Sequence, residues 1–340
     1  MRLGRPRDGW GEVRHERERN GGELGSMKRL ASFFFLSCFF TMPFVSVRSA
    51  EDPKRPRILG VAHMALFVSD LQKSRLFYED FLGYAEPYAL KRTDGTERIA
   101  FIKINEDQYI ELFAENPKGN ARLNHIAFWT DSAEGMRAYL RSQGFQVPER
   151  VGKGQIGNSN FTFADPDRHT VEIVQYEPDS WTRREKGKFI PDTRISAHIA
   201  HVGVLVGTLD PAMQFYRGVL GFQEFWRGSA SGKVLSWVNM RVPDGDDYLE
   251  FMLYGDPPDA EQAGVRNHIC LVTPDIEKAV AVLEARLARK SYSRTIEIKV
   301  GVNRKRQANL FDPDGARIEL MEPNTVDGKP TPSSIAPPPK

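Results

Sequence analysis

The stretch VAHMALFVSDLQKSRLFYEDFLGY, residues 61–84, decides the fold. It begins with an apolar run that carries one histidine, His63, and passes through Ser69-Asp70 into an amphipathic segment that ends at Gly83. A short apolar run is typical of a strand, and a small polar residue before an apolar-periodic segment marks the start of a helix. The stretch therefore predicts a β-strand followed by an α-helix.

The same pattern occurs four times along the chain. Each copy has an opening strand with a His, a helix, polar strand-like segments, an acidic turn and a closing strand with a Glu. The opening strands are VAHMALFV (61–68), LNHIAFWT (123–130), IAHVGVLV (199–206) and RNHICLVT (266–273), and the closing strands are YIELF (109–113), TVEIVQY (170–176), YLEFMLY (248–254) and RIELMEP (317–323). The paired His and Glu lie 48, 47, 49 and 51 residues apart. This regularity predicts four βαβββ modules, at 57–117, 121–176, 197–256 and 264–324.

The His and Glu of each module are expected on the same face of a sheet, because successive side chains of a strand point to opposite faces. In the first strand, Ala62 and Met64 would face the helix and His63 the other side, where Glu111 would join it. If the sheet curls with its helices outside, these side chains point into a concave cavity. The sequence thus predicts an α+β chain of four modules paired into two domains, with curved mixed sheets, helices outside and metal pockets inside.

The repeated His and Glu residues are the candidate metal ligands. A single His or Glu in a strand is usually structural, but four copies of both in one frame favour a common chemical role. A carboxylate in an apolar cavity is costly unless it is paired or bound to a cation. Histidine with carboxylate suits divalent Fe, Ni, Zn, Co or Mn. The candidates are His63, Glu111, His125, Glu172, His201, Glu250, His268 and Glu319. The identity of the metal, and its presence in one domain or both, stay open.

The ends of the chain differ from the modules. Residues 1–26 hold several arginines without apolar periodicity, and we interpret them as an upstream extension before a true start at Met27. Residues 27–50 have the basic start, apolar run and small-residue end of a cleaved signal peptide, which predicts a secreted or periplasmic protein. A membrane anchor is the alternative, but Thr41 and Pro43 interrupt the apolar run. We therefore expect no membrane contact after cleavage.

The segments around the two domains are polar. The first domain spans 57–176 and the second 197–324, with a polar linker at 177–196 in which residues 183–186 are expected to form solvated surface. The proline-rich end, 325–340, predicts a disordered tail. The net charge is +2 with 27% charged residues, so no dense basic face is expected and nucleic acid is excluded as a partner. A small-molecule substrate is expected, and either a monomer or a homodimer fits.

The four modules resemble the vicinal oxygen chelate superfamily, which includes glyoxalase I, methylmalonyl-CoA epimerase, fosfomycin-resistance proteins and extradiol dioxygenases. The motifs that carry the resemblance are FYEDFLGY (77–84), FYRGVLGF (215–222), FADPDRHTVEIVQ (163–175) and FDPDGARIELMEP (311–323). The resemblance implies paired modules that form a U-shaped sheet around a divalent metal. It assigns the first four candidate ligands to one site and the last four to a second.

The ligand order His, Glu, His, Glu is similar to that of bacterial-type glyoxalase I. It implies lyase or isomerase chemistry, in which a metal assists proton transfer on a chelating oxygenated molecule and Glu172 or Glu319 moves the proton. An exported enzyme of this kind would not meet glutathione or acyl-CoA thioesters, so a hydroxy-carbonyl or aromatic compound is expected instead. One alternative is a non-haem iron ring-cleaving dioxygenase that uses His201, His268 and Glu319. That alternative is weakened because only His198 could serve as an additional acid–base histidine in the second half, and because Glu250 occupies a position such enzymes do not use. A second alternative is a non-catalytic protein that binds or sequesters a small molecule.

Overall fold

The computed structural model describes residues 53–115 and 122–340. The expected upstream extension and the signal peptide lie outside these residues. In the part of the chain that is described, no helix is both long enough and apolar enough to cross a membrane.

The first domain is an eight-stranded mixed sheet with few helices. Its strands follow the order β2-β3-β4-β1-β5-β8-β7-β6. They are β1 (Ile58–Val68), β2 (Ala85–Lys91), β3 (Glu97–Lys103), β4 (Tyr109–Ala114), β5 (Leu123–Thr130), β6 (Gly152–Lys153), β7 (Ser159–Ala164) and β8 (Thr170–Gln175). The helices are α1 (Leu71–Arg75), which continues as a π-helical turn over Leu76–Phe81, and α2 (Ala133–Ser142). Strands β1 and β5 pair antiparallel at the centre and join the two modules.

The second domain repeats this architecture. Its order is β10-β11-β12-β9-β13-β16-β15-β14, which is the order of the first domain with every label raised by eight. The strands are β9 (Ile199–Val206), β10 (Gln223–Gly228), β11 (Trp237–Arg241), β12 (Tyr248–Leu253), β13 (His268–Val272), β14 (Ile298–Val300), β15 (Lys305–Phe311) and β16 (Arg317–Thr325). After α3 (Trp181–Arg184) of the linker come α4 (Leu209–Met213) with a π-helical turn over Gln214–Val219, α5 (Ala260–Arg266), α6 (Ile276–Ala285) and a 3-10 helix over Leu287–Ser291. The α+β fold with two curled mixed sheets is confirmed.

Strand β1 departs from simple alternation near its candidate ligand. A register shift between Val61 and His63 places a β-bulge in β1, so two successive residues change their expected faces. Val61 packs in the large core with Met64, whereas Ala62 packs in the smaller apolar cluster on the opposite face. The expectation that Ala62 faces the helix is therefore wrong, while His63 lies on the face that was expected.

The large core extends through both domains, and aromatic residues of the π-helical turns cross between them. Tyr78 follows α1 and its hydroxyl donates to the carboxylate of Asp312 at 3.2 Å, in the turn before β16. Tyr216 follows α4 and its hydroxyl donates to Asp165 at 2.8 Å, in the turn before β8. Both tyrosines are completely buried. The helical elements of each domain thus pack against the closing turn of the other domain.

The linker and the tail make contacts that composition did not reveal. Trp181 of the linker is buried, and Arg183 lies over the rings of Trp129 and Tyr176 with its guanidinium 2.7 Å from Asp107. The expectation that residues 183–186 are all solvated surface is therefore wrong for Arg183, whose aromatic and acidic partners come from distant strands.

The tail at 325–340, for which composition predicts disorder, makes backbone hydrogen bonds with the second domain in the structure. The backbone N–H of Ser334 donates to the carbonyl of Arg227, and that of Leu235 donates to the carbonyl of Pro337, both at 2.8 Å. Proline removes backbone donors but keeps every carbonyl acceptor. A proline-rich segment therefore remains able to pair with the loop that follows β10.

The buried carboxyl of Asp312 gives the fold a pH dependence. Burial raises its pKa to about 7 from the ordinary 3.8, because the three hydrogen bonds it accepts do not offset the loss of solvent. A raised folded-state pKa contributes stability below about pH 3.8 that is lost as the pH rises through about 7. We therefore expect the contribution of Asp312 to the free energy of unfolding to fall between pH 4 and 7, measured by urea denaturation of the wild-type protein and the Asp312→Asn variant. The Asp312→Asn variant should flatten this dependence, and an unchanged slope would contradict the assignment.

Candidate metal centres

The first centre lies on the four central strands of the first sheet. His63 comes from β1, Glu111 from β4, His125 from β5 and Glu172 from β8, and all four side chains are buried. Strand alternation brings them to one face, opposite the helices. The sequence prediction placed these same four residues in one pocket, and the structure brings them together.

The donor atoms of the first centre converge on a common point. The Nε2 atoms of His63 and His125 lie 2.9 Å apart. An oxygen of Glu172 lies 3.3 Å from the Nε2 atom of His63 and 2.9 Å from that of His125. The oxygens of Glu111 are more distant, at 3.5 and 3.7 Å from the same two nitrogens.

These separations fit a divalent metal ion. At metal–ligand distances of about 2.1 Å, neighbouring donors lie ~3.0 Å apart in an octahedron and ~3.4 Å apart in a tetrahedron. Two buried carboxylates also need compensating positive charge, because isolated ions are costly to remove from water. The Nδ1 atom of His63 is buried without a hydrogen-bond partner among the described residues, which leaves Nε2 as the atom with converging partners. The residues thus form a candidate site for a divalent cation.

The two carboxylates of the first centre have different environments. Burial raises the pKa of Glu111. Burial also acts on Glu172, but hydrogen bonds from His125 and His63 outweigh it and lower the pKa of that carboxyl well below its ordinary value. The amide of Asn160 donates a further hydrogen bond to Glu172 at 2.7 Å. The ionised form of Glu172 is therefore strongly stabilised, whereas the ionised form of Glu111 is disfavoured.

The second centre repeats the first at the matching positions of the second sheet. His201, Glu250, His268 and Glu319 come from β9, β12, β13 and β16 and are all buried. The two Nε2 atoms lie 3.1 Å apart. Glu319 lies 3.4 and 3.6 Å from the two imidazoles, and Glu250 lies 4.0 and 3.5 Å from them. The structure therefore brings the second predicted ligand set together as well.

A guanidinium makes the second centre different. Arg317 lies 2.6 Å from the Nδ1 atom of His268, and the corresponding strand position in the first domain holds Thr170. Burial and the positive charge of Arg317 lower the pKa of His268 to about 4. A cation so close to a ligand opposes the approach of a second cation. Sequence reasoning did not identify Arg317, although its place two residues before Glu319 is readable from the repeat.

Replacing Arg317 by threonine should therefore strengthen metal binding at the second centre. The change copies the first domain and removes the adjacent charge, and we expect an increase in affinity of about tenfold, or ~1.4 kcal/mol. The measurement is competition with a chelator in a Glu172→Ala background, so that the first centre does not contribute. Equal or weaker binding by the threonine variant would show that Arg317 supports the site instead.

Each domain has a cavity on the strands that carry its donor cluster. The first has a volume of about 230 Å³ and its walls include Glu111, His125 and Glu172 together with apolar side chains such as Phe101 and Val174. The second has a volume of about 330 Å³ and is lined by Phe225, Trp226, Asn239, Tyr248 and Lys305 and by the segment after β16. Within the described chain, its walls include none of the four ligands of the second centre. Of these two cavities, the first is therefore the one bordered by ligand side chains.

Aromatic residues surround the first centre. Tyr109 stacks on the imidazole of His63 with ring centres 4.7 Å apart, and it contacts Trp181 of the linker. Trp181 also packs against Tyr88 and Phe101, so the linker completes the apolar cluster of this face. Tyr248 occupies the matching position beside His201. Trp129 stacks instead on Tyr176, away from the cavity walls described above. Strand alternation in the sequence predicts Tyr109, Tyr248 and Trp129 on the cavity face, whereas the sequence contains no such signal for Trp181.

Comparison with known proteins places this architecture in a family. Each domain matches the Glyoxalase/Bleomycin resistance protein/Dioxygenase superfamily, over residues 60–173 and 198–320. The chain belongs to this superfamily. The family resemblance inferred from the motifs is thereby confirmed, and this superfamily member carries the family pattern twice.

Individual relatives of this superfamily member fall into two groups. Lactoylglutathione lyase of Schizosaccharomyces pombe is 23% identical over 312 residues, covering 76% of this chain and 95% of the relative. A probable lactoylglutathione lyase of Vibrio cholerae is 29% identical over 127 residues, covering 34% of this chain and 89% of the relative. Among solved structures, homoprotocatechuate 2,3-dioxygenase from Brevibacterium fuscum has a TM-score of 0.59 at 20% identity, covering 84% of this chain and 86% of that one. The structural likeness supports the fold.

Proposed function

We propose that this protein is a metal-dependent lyase or isomerase that moves a proton within a small oxygenated molecule, and that the first centre performs the reaction. The observation that carries the proposal is the convergence of two carboxylates on a pair of imidazoles: the two Nε2 atoms are 2.9 Å apart, and each carboxylate has oxygens within 3.7 Å of both. Four donors leave two positions on a six-coordinate ion. Two positions suit a substrate that chelates through adjacent oxygens. A full-length relative that carries the name lactoylglutathione lyase is consistent with this chemistry.

A divalent ion at this site would supply Lewis-acid stabilisation of negative charge on the substrate oxygens. The protein side chains would hold the ion in place and move the proton. Glu172 is held by both imidazoles and by Asn160, and it suits an anchoring role. Glu111 lies 3.5 Å or more from either imidazole nitrogen, so it has the freedom to take a proton from one carbon and return it to the next. We therefore propose Glu111 as the proton-moving carboxylate, in place of the Glu172 expected from the resemblance.

The walls of the first cavity indicate the kind of substrate. Phe101, Ile99 and Val174 give it an apolar body. Its polar groups beyond the ligands include Arg98, Gln155, Asn158 and Asn160, of which Arg98 is the cation. The Nε atom of Arg98 is buried without a partner among the described residues. A guanidinium with an unused donor favours a carboxylate or another anionic group. The proposed substrate is a small α-hydroxy-carbonyl compound with an anionic substituent, small enough for a cavity of about 230 Å³.

Ring-cleaving dioxygenase chemistry is the alternative to this proposal. It requires room for a chelating substrate and for dioxygen, which three protein ligands leave and four do not. The two other described histidines are engaged elsewhere: His169 contacts Asp165 and His198 contacts Asp247, each at 2.8 Å. Neither is a member of the donor clusters, so the four-donor set favours proton transfer.

We also propose that the protein is exported, on the signal-like sequence at 27–50. Substrates of an exported enzyme would come from outside the cytoplasm, which separates this protein from a lyase that acts on cytoplasmic thioesters. N-terminal sequencing of the protein recovered from fractionated cells tests the proposal. A mature protein beginning near residue 51 supports export, whereas an uncleaved chain in the cytoplasmic fraction contradicts it.

Elemental analysis followed by isotope exchange tests the proposed chemistry. The chain from residue 51 would be purified anaerobically without a metal-binding tag, analysed for metal, and incubated in deuterated water with small hydroxy-carbonyl acids. Metal at the first centre and deuterium at the carbon beside the carbonyl are expected, both lost in Glu172→Ala. Oxygen consumption with a catechol and iron at the centre would instead favour the dioxygenase. Metal-free protein after reconstitution would leave a binding role in its place.

A further inference from the structure

The position two residues after each histidine lies between the ligands of the neighbouring strands. Ala65 on β1 is in register with Glu111 and His125, and Ala127 on β5 is in register with His63 and Glu172. Gly203 on β9 is in register with Glu250 and His268. Cys270 on β13 is in register with His201 and Glu319. Each centre therefore rests on two such positions.

Three of these four positions hold a residue without a functional group, and the packing requires small side chains there. A Cβ atom built on Gly203 would meet the ring of His268 at about 2.0 Å, so no larger residue fits beneath that imidazole. Ala65 and Ala127 are completely buried under the first centre. Cys270 is also completely buried, and it is the one position of the four that carries a donor atom.

The thiol of Cys270 reaches the donors of the second centre. Its sulfur, one ring nitrogen of His201 and one oxygen of Glu319 all lie within 4.8 Å of one another. Donors on opposite sides of a metal ion are about 4.4 Å apart when one is sulfur at ~2.3 Å and the other is nitrogen or oxygen at ~2.1 Å. The three atoms are thus close to coordination distances before any metal arrives.

A buried amide supports a ligand site on the same face. Asn239 is in register with Glu250 on the adjacent strand, and its Oδ1 atom is buried without a partner among the described residues. In the first domain the matching position opposite Glu111 is Phe101, which is apolar. The second centre therefore differs from the first in having a thiol below it and an unused carbonyl oxygen beside it.

We propose that Cys270 is a thiolate ligand of the second centre, so that the two halves of this chain hold chemically different metal sites. The first centre has only nitrogen and oxygen donors and suits iron, manganese, nickel or cobalt. Sulfur ligation shifts preference towards zinc and other thiophilic ions. The inference concerns the second centre alone and does not depend on the proton-transfer reaction proposed for the first.

Cobalt spectroscopy tests the proposal directly. Cys270 is the only cysteine after residue 50, so a thiolate-to-cobalt charge-transfer band in the near ultraviolet has one possible source in the mature chain. The mature protein, reduced with a phosphine and kept anaerobic, would be titrated with Co²⁺. We expect the band in the wild-type protein and in Glu172→Ala, which lacks a functional first centre. Cys270→Ala should bind cobalt without the band, and its zinc affinity at the second centre should fall about tenfold or more.

A matched variant places the thiol in the other domain. Ala127→Cys in the Cys270→Ala background puts sulfur at the corresponding position of the first centre, and the band should return there. X-ray absorption of the zinc-loaded Glu172→Ala variant should show a sulfur scatterer at about 2.3 Å. The proposal is overturned if wild-type and Cys270→Ala proteins give superimposable cobalt spectra, or if only nitrogen and oxygen scatterers surround the second metal. Failure of cobalt to bind in Glu172→Ala also overturns it, without bearing on the chemistry of the first centre.

Discussion

Replacement of Glu111 by glutamine should abolish turnover while leaving metal at the first centre. Glutamine keeps the size of the side chain and an oxygen that can act as a ligand, but it cannot accept a proton at neutral pH. We expect the rate of deuterium exchange into substrate to fall about 10³-fold, within the range that general bases contribute. Metal content should stay near the wild-type value, because Glu172 and the two histidines at 2.9–3.3 Å remain. The measurement is exchange followed by NMR, with metal analysis of the same sample.

The matched variant is Glu172→Gln, which removes the carboxylate that both imidazoles and Asn160 hold. We expect this change to lower metal affinity at the first centre 10–100-fold or more. Activity should then return on addition of excess metal, whereas Glu111→Gln should not respond. If Glu172→Gln retains metal and loses exchange while Glu111→Gln remains active, the two roles are reversed and the original expectation for Glu172 holds. Glu250→Gln reports how much exchange belongs to the second centre.

Truncation of Tyr216 to alanine should cause a large loss of stability. The side chain is completely buried, packs on Phe215, Phe222 and Phe251, and donates a hydrogen bond to Asp165 in the other domain. Removal of a buried aromatic ring costs about 3–5 kcal/mol because of the lost burial and the cavity that remains. Urea denaturation followed by fluorescence and circular dichroism would measure the change. Both domains should unfold in one transition, since the residue belongs to a core that they share.

Tyr216→Phe separates the hydroxyl from the ring. The Tyr216→Phe change should lower the free energy of unfolding by about 1.5–3 kcal/mol, the range for hydrogen bonds to charged groups. The loss is smaller than for alanine because the ring remains and Asp165 keeps its contact with His169. Phe225→Ala is the exposed aromatic control, with 43% of the residue accessible, and should change stability by far less. Two separate transitions in the Tyr216→Ala variant, with the first domain unaffected, would contradict the shared core.

Much of this architecture is readable from the sequence because the repeat supplies four copies of each signal. His63 alone would be an ordinary strand residue, but its recurrence with Glu111 in a fixed frame identified both ligand sets and the face on which they lie. The pairing of the modules into two curved sheets followed from the same frame. Alternation gave the wrong face for Ala62, where a bulge in β1 shifts the phase by one residue.

The features that were missed depend on contacts between segments far apart in sequence. Trp181 lies in a polar linker, and only the folded chain brings it to Tyr109. The tail at 325–340 lacks any apolar pattern, and its contacts with β10 and the following loop use the backbone N–H of Ser334 and the carbonyl of Pro337. The composition of a segment indicates whether it can form its own hydrophobic core. It does not indicate whether backbone N–H and C=O groups of that segment form hydrogen bonds with another part of the chain. The special features of the second centre, Arg317 and Cys270, become visible only when the modules are aligned strand by strand.

The crossed tyrosines have a consequence for the way such a chain can be divided. Because Tyr78 of the first domain and Tyr216 of the second each end at a carboxylate of the other, we expect the two domains to fold together rather than as separate units. A single half expressed alone would present its aromatic turn and its closing acidic turn without their partners. Since those two surfaces are complementary, two copies of one half would satisfy each other about a twofold axis. The intact chain therefore resembles two subunits of a dimer joined by a linker. Because the two halves have separate sequences, the two candidate metal centres can carry different residues.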